Sequence, residues 1–357
     1  MNKRQRIQAV LSHRPTDRIP RYDIFLPGYR ERWRTHHGLP EDADIHRFYA
    51  NVDIQMVPAM QEGPLSSRVG QTDIDADTYH FRDSWGRHQK CSRSGTFFEV
   101  LETALPEKSL LDQLTFEDPW AVDGRVRQFQ DAVAYAIEHD RSCPVTGVMG
   151  LFMASYYLRG EFELLTDLAD DPPFGRALAD RLADFLTAAA IKALDVTGTW
   201  DTALWIYDEL GNNKSSVISP GTFERVYLDA YRRMIGTLKA HGLQNIILHC
   251  DGNCLDLLDL LIDAGFTGLQ GINPSAGMTV PAVKARCGNR LALIGGMCNI
   301  HVLTRGSHRQ IEEQTKSILD AARDGGVVIG THSIDSDVPV ENYEFYNSLL
   351  GEESWVI

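Results

Sequence analysis

The stretch Asn245-Ile-Ile-Leu-His-Cys-Asp-Gly-Asn-Cys-Leu-Asp-Leu-Leu-Asp-Leu-Leu-Ile-Asp-Ala-Gly-Phe-Thr-Gly-Leu-Gln270 decides the fold class. It opens on a short apolar run, Asn245 to His249, and breaks into the polar cluster His249-Cys-Asp-Gly-Asn253. From Cys254 to Ala264 the apolar residues recur at helical spacing, and after Gly265 a second apolar run follows, Phe266 to Gln270. A strand, a helix and a strand joined this tightly imply parallel strands with a crossover helix. The order repeats in both directions. Upstream lie Ile19 to Phe25, the weaker Val52 to Val57, Pro144 to Met149 and Thr202 to Tyr207; downstream lie Leu291 to Ile294 and Gly326 to Gly330. Helical patterns separate them from the third onward: Arg176 to Leu194, Pro220 to His241, Val280 to Cys287 and His308 to Asp324. Eight candidate strands in this alternation suit a (β/α)8 barrel or a doubly wound sheet.

Residues 64–105 break the rhythm. Around Arg82-Asp-Ser-Trp-Gly86 and Thr96-Phe-Phe-Glu-Val100 the sequence is polar and alternating, which predicts an inserted β-hairpin or small sheet able to cap one end of a barrel. No Ser/Gly-rich linker, low-complexity tract or short-period repeat divides the chain, so residues 1–357 are read as one domain. A barrel tolerates that length.

The net charge of −14 contains no block of five like charges, which gives neither nucleic acid nor an anionic membrane a footprint. No apolar run has the roughly 20 residues of a membrane span, and the first residues lack a signal-peptide core, so a cytoplasmic location is expected. Cys91, Cys143, Cys250, Cys254, Cys287 and Cys298 show neither a disulfide framework nor a CxxC pair and read as reduced, mostly buried thiols. Gly295-Gly296 and Gly325-Gly326 do not match a dinucleotide fingerprint or P-loop, and neither GxSxG nor HExxH occurs.

Most of the candidate strands run into a polar cluster at the carboxyl end: Asp23, Tyr207-Asp208-Glu209, His249 to Asn253, Asn273, and Thr331-His332-Ser333. In a barrel these ends share one face, where barrel enzymes keep their chemistry. His249 and Asp251, with His332 from the last strand, offer two imidazoles and a carboxylate, a donor set suited to Zn²⁺ or another divalent metal. Asp251 is explained equally well as a helix N-cap or as an orienter of His249. Asp208 and Glu209 are adjacent, so both face inward only if the strand ends there; at least one of them is expected in the pocket as general acid/base or as a clamp on a cationic or hydroxylated substrate group, the alternative being a surface turn before Gly211-Asn-Asn213. Asp23 is a third catalytic candidate, and Tyr207, Asn253 and Asn273 are candidates for contacting a small-molecule substrate.

Several segments resemble the uroporphyrinogen decarboxylase-like superfamily, which includes the cobamide-dependent methyltransferases. They are Arg14-Pro-Thr-Asp-Arg-Ile-Pro20, Tyr207-Asp-Glu-Leu-Gly211 with Ile218-Ser-Pro220, Leu248-His-Cys-Asp-Gly-Asn253, Leu293-Ile-Gly-Gly296, Gly325-Gly326 and Val340-Glu-Asn342. The resemblance spans nearly the whole chain and implies a single TIM-type barrel. The true decarboxylases recognise a polycarboxylated tetrapyrrole through an early Arg-Gln-Ala-Gly-Arg-Tyr segment, replaced here by Tyr22-Asp-Ile-Phe-Leu-Pro-Gly28. Without those arginines, uroporphyrinogen is not the expected substrate. The related methyltransferases bind zinc through His-x-Cys and a later Cys. Here His249 is kept, Asp251 stands at the first Cys position and His332 lies near the second, which shifts the set from sulfur to nitrogen and oxygen. The resemblance therefore implies metal-assisted methyl transfer, with a corrinoid carried by a partner protein, and a homodimer is one assembly open to the chain. A metal-free decarboxylase or lyase acting on a small acid through Asp23 or Asp208 is the alternative.

Overall fold

The computed structural model describes residues 1–95, 98–138 and 143–351. Eight parallel strands form one sheet: β1 (Arg21–Tyr22), β2 (Ile54–Met56), β7 (Cys143–Met149), β8 (Leu204–Tyr207), β9 (Ile246–His249), β10 (Gly268–Ile272), β11 (Ala292–Gly296) and β12 (Val327–Gly330). Its spatial order is β1-β12-β11-β10-β9-β8-β7-β2, so every neighbour is also a neighbour in the chain except where β12 meets β1. Helices follow each strand, from Pro27–His37 after β1 to Val340–Ser348 after β12. This is the (β/α)8 barrel, not the doubly wound sheet.

Strand periodicity divides the side chains between two cores. Tyr22, Ile54, Val145, Trp205, Ile247, Ala292, Ile294 and Val328 fill the barrel interior together with Ile7, Val10 and Leu11. The last three belong to the helix Lys3–Leu11, which closes the amino end. The alternate residues, such as Leu204, Ile206, Ile246 and Leu248, pack outward with Leu178, Leu182 and Leu186 of the long helix Pro172–Thr197.

One seam of the barrel has no ladder. Between β1 and β2 the Asp53 amide donates to the Arg21 carbonyl at 2.9 Å, and the Asp53 carboxylate accepts the Arg21 amide at 2.9 Å. That carboxylate, fully buried, also accepts Arg6 Nη1 at 2.7 Å and Arg18 Nη1 and Nη2 at 2.6 and 2.9 Å. Asp53 thus joins both edge strands to the closing helix.

The insertion is a four-stranded antiparallel sheet, β3 (Gly70–Asp73), β4 (Thr78–Arg82), β5 (His88–Ser92) and β6 (Phe98–Glu102). Thr96 and Phe97 lie outside the described residues. The small sheet expected from the alternating sequence is present, and its seat is set by side-chain contacts. Trp85 in its β4–β5 turn packs edge-on against Tyr157 and Phe185, and the Arg87 guanidinium lies over the Tyr157 ring at 3.4 Å, which fixes the sheet to the helices that follow β7. All six cysteines are free and buried, as read from the sequence. Among the described residues no helix is long and apolar enough to cross a membrane.

Asp53→Ala is expected to cost about 3–5 kcal/mol, because it strands two guanidiniums at a buried seam. Arg4→Ala removes an ion pair with the exposed Asp201 and should cost at most about 1 kcal/mol. Denaturant unfolding of the two variants measures the difference, and equal losses would show that the barrel closes without Asp53.

Candidate active site at the carboxyl end of the barrel

The inward register continues past the strand ends. Trp205 and Tyr207 face inward on β8, so Glu209 does too, and Asp208 faces outward. On β9 the inward set is Ile247, His249 and Asp251, with Cys250 outward and buried. On β12 it is Val328 and then His332. The structure thereby brings Glu209, His249, Asp251 and His332 to one place, with the Tyr207 ring 5.1 Å from that of His249.

His332 Nε2 lies 2.9 Å from Asp251 Oδ2, and His249 Nε2 lies 3.4 Å from Asp251 Oδ1 and 3.7 Å from Glu209 Oε1. The hydrogen bonds on the far sides of the rings set the tautomers. Trp205 Nε1, which can only donate, points at Gln270 Oε1 at 3.3 Å. That same oxygen pairs with His249 Nδ1, which must therefore carry a proton. In the neutral ring this leaves the lone pair on Nε2, facing the cleft. His332 Nδ1 is engaged by Ser333 Oγ at 3.0 Å. His249, Asp251 and His332 each present a ligand atom within 4.8 Å of the others. Asp251 Oδ1 is buried without a hydrogen-bond partner. Two imidazole nitrogens, a carboxylate and an orphaned oxygen fit a divalent cation.

Charge coupling accompanies the convergence. Burial raises Asp251, but the His332 hydrogen bond and the two imidazoles outweigh it and hold the carboxyl below its ordinary range. Burial and the charge of Asp251 raise Glu209. His332 is raised as well, because its Asp251 hydrogen bond and the charges of Asp251 and Glu209 prevail over burial. The cleft has a volume of about 270 Å³ and is lined by these acids and His332, by Asn212, Asn213, Asn273 and Asn299, and by Ile300 and two glycines, with neither Lys nor Arg among them.

The other candidates lie elsewhere. Asp208 is fully buried behind the barrel wall. It accepts Met153 N at 2.7 Å, Phe152 N at 3.2 Å and the Tyr231 hydroxyl. It thereby caps the helix Leu151–Arg159, whose own N-cap, Gly150, has no side chain to offer and no room for one: a Cβ there would sit 2.3 Å from that of Asp208. Burial pushes the Asp208 carboxyl up to about 7 against these three donors. Asp23 also points outward, accepting Thr331 N and Oγ1 at 3.0 Å and the Tyr343 hydroxyl at 3.1 Å, beside Arg21. Neither lines the cleft that holds Glu209 and Asp251, and β-strand parity is the reason for that placement. Asn253 ties its loop to the one after β10, with Nδ2 donating to the Ala276 carbonyl at 2.8 Å. Asn273 lines the cleft while its amide braces the Asp251 carbonyl at 3.3 Å. Sequence reading overlooked Gln270, the partner that orients His249; its signal is an inward position in the strand run next to that of His249.

The sequence profile described as Uroporphyrinogen decarboxylase (URO-D) matches residues 100–350. The chain belongs to the URO-D family. No curated protein matches this URO-D chain. Among solved structures, a methyltransferase from Methanosarcina mazei shares the fold over 98% of both chains, with a TM-score of 0.70 and 17% identity. A B12-independent methionine synthase from Shewanella sp. W3-18-1 covers 95% of this chain and 93% of its own at a TM-score of 0.46 and 8% identity. A D-psicose 3-epimerase from Clostridium cellulolyticum H10 gives 0.39 and 14% over 69% and 86%.

The two adjacent carboxylates should respond oppositely. Asp208→Asn is expected to destabilise by about 2 kcal/mol, lowering Tm by about 3 °C, since an amide cannot accept from all three donors. Glu209→Gln should leave Tm within about 1 °C and lower turnover about 100-fold. Thermal melts and steady-state rates of both variants check the split, and a Tm loss for Glu209→Gln with Asp208→Asn unaffected would reverse the assignment.

Proposed function

We propose that this URO-D family member is a metal-assisted methyltransferase that moves a methyl group between a small molecule and a corrinoid held by a partner protein. The observation that carries the metal part is the convergence of two Nε2 atoms and the Asp251 carboxylate, with both Nδ1 atoms already engaged. The fold shared with the Methanosarcina mazei methyltransferase supports the methyl-transfer part. His249, His332 and Asp251 would hold the ion. Bound Zn²⁺ supplies Lewis-acid polarisation of a substrate heteroatom.

The remaining steps fall to the chain's own groups. Glu209, raised by burial and by Asp251, is suited to take a proton from a substrate S–H, O–H or N–H as its heteroatom becomes the nucleophile. Asn212 and Asn273 border the substrate space, and the Tyr207 ring packs against His249. The metal-free lyase reading loses its two acids, because Asp23 and Asp208 lie behind the barrel wall. A tetrapyrrole with many carboxylates finds neither Lys nor Arg in a cleft of about 270 Å³ lined by Glu209, Asp251, His332 and four asparagines.

Two outcomes are expected. Purified protein should hold a divalent metal at the barrel mouth, so that His249→Ala lowers the metal content by about one equivalent per chain without loss of folded structure. Metal analysis beside circular dichroism decides this, and metal-free protein that stays fully active under strong chelation would refute it. Anaerobic incubation with uroporphyrinogen III should yield no coproporphyrinogen at an enzymatic rate; turnover of about 1 s⁻¹ or more would overturn the exclusion.

A further inference from the structure

A second group of metal-competent side chains lies on the outer helix layer, apart from the barrel mouth. His36 and His37 end the helix Pro27–His37, and Glu341 and Glu344 lie one turn apart on Val340–Ser348. His37 Nε2 is 2.8 Å from Glu344 Oε1, and His36 Nδ1 is 3.5 Å from Glu341 Oε1. His36, His37 and Glu344 offer three ligand atoms all within 4.8 Å of one another. Neighbouring residues on a helix ordinarily diverge by about 100°. Here the two rings stand 4.8 Å apart at 79°, both turned to the same facing helix.

As an ion-pair cluster the arrangement works against itself. Full ion pairing with both acids would set two imidazolium charges side by side, and these repel. One divalent cation bound by two neutral imidazoles and a carboxylate removes that conflict. The position favours positive charge too, since it adjoins the negative carboxyl end of Pro27–His37, whose C-cap is Gly38. Tyr49 donates to Glu344 Oε1 at 3.3 Å and fixes its orientation, as groups behind a metal ligand commonly do.

We infer that His36, His37 and Glu344, with Glu341 at the rim, bind a structural divalent cation of the Zn²⁺ class, independently of the barrel-mouth site. The ion staples the last described helix to the first βα unit. That helix also carries Tyr343, which donates to Asp23, and Asn347, which accepts from Arg21 at 2.5 Å, so the staple braces the outer side of β1 beside the Asp53 seam.

Calorimetric titration of the full chain with ZnCl₂ tests this in a His249→Ala background, which isolates the outer site. His249→Ala should take up about one Zn²⁺ per chain, with Tm raised by about 4 °C or more at saturation; His249→Ala/His37→Ala should show neither effect. Should the double variant fail to fold by circular dichroism, His249→Ala/Glu344→Gln decides instead. Equal zinc uptake with and without His37 (or Glu344), or no uptake by His249→Ala, overturns the inference. Wild-type protein that binds one zinc equivalent, lost in His37→Ala, would sink the barrel-mouth metal and leave the outer site standing.

Discussion

Everything at the mouth of this barrel depends on a buried carboxylate at its opposite end. A parallel barrel exists only if its first and second strands meet, and here both are too short to form a ladder. Asp53 replaces the ladder with hydrogen bonds to two backbone groups and two guanidiniums. The closing interaction is ionic and local, so the strands above it are free to end in polar side chains instead of extending their pairing. The Asp53 carbonyl also accepts the Cys143 amide at 2.5 Å, which ties the seam to β7 as well.

Much of the fold was legible because its signal is repetitive. Each strand run from the third onward was found within a few residues, and the helix Val280–Cys287 coincides with its expected bounds. The first two strands were harder: β1 and β2 hold two and three residues, and their pairing rests on Asp53, whose role no periodicity reveals. The stretch Pro220 to His241 reads as one helix but divides at Tyr227 into Pro220–Val226 and Leu228–Ala240, a break that apolar spacing does not mark. The inserted sheet was recognisable from alternation, yet its seat was not, since that depends on Trp85 and Arg87 finding Tyr157 across the chain.

The site was half legible for a related reason. Polar residues at strand ends announce the right region, and His249, Asp251 and His332 do meet. What a list of strand ends omits is which wall each side chain faces. Counting alternate positions from Trp205 separates Glu209 from Asp208, and the latter's helix cap depends on Gly150 and Tyr231, distant in sequence. Gln270 could not be singled out, because its importance comes from one oxygen shared between an indole and an imidazole.

The loops after β8 and β9 are locked to each other at Gly211 and Gly252, where a Cβ on Gly252 would fall 2.1 Å from the Gly211 carbonyl, and the Asn253 amide donates to the Asn212 carbonyl at 2.7 Å. Neither loop can lengthen or gain a side chain at that crossing without breaking the other. The opposite rim presents side chains, Asn299 and the exposed Ile300, in place of crossed glycines. Descendants of this chain that adopt new substrates should therefore diverge on one side of the cleft while the other stays frozen, as with a lock whose wards are cut on a single edge.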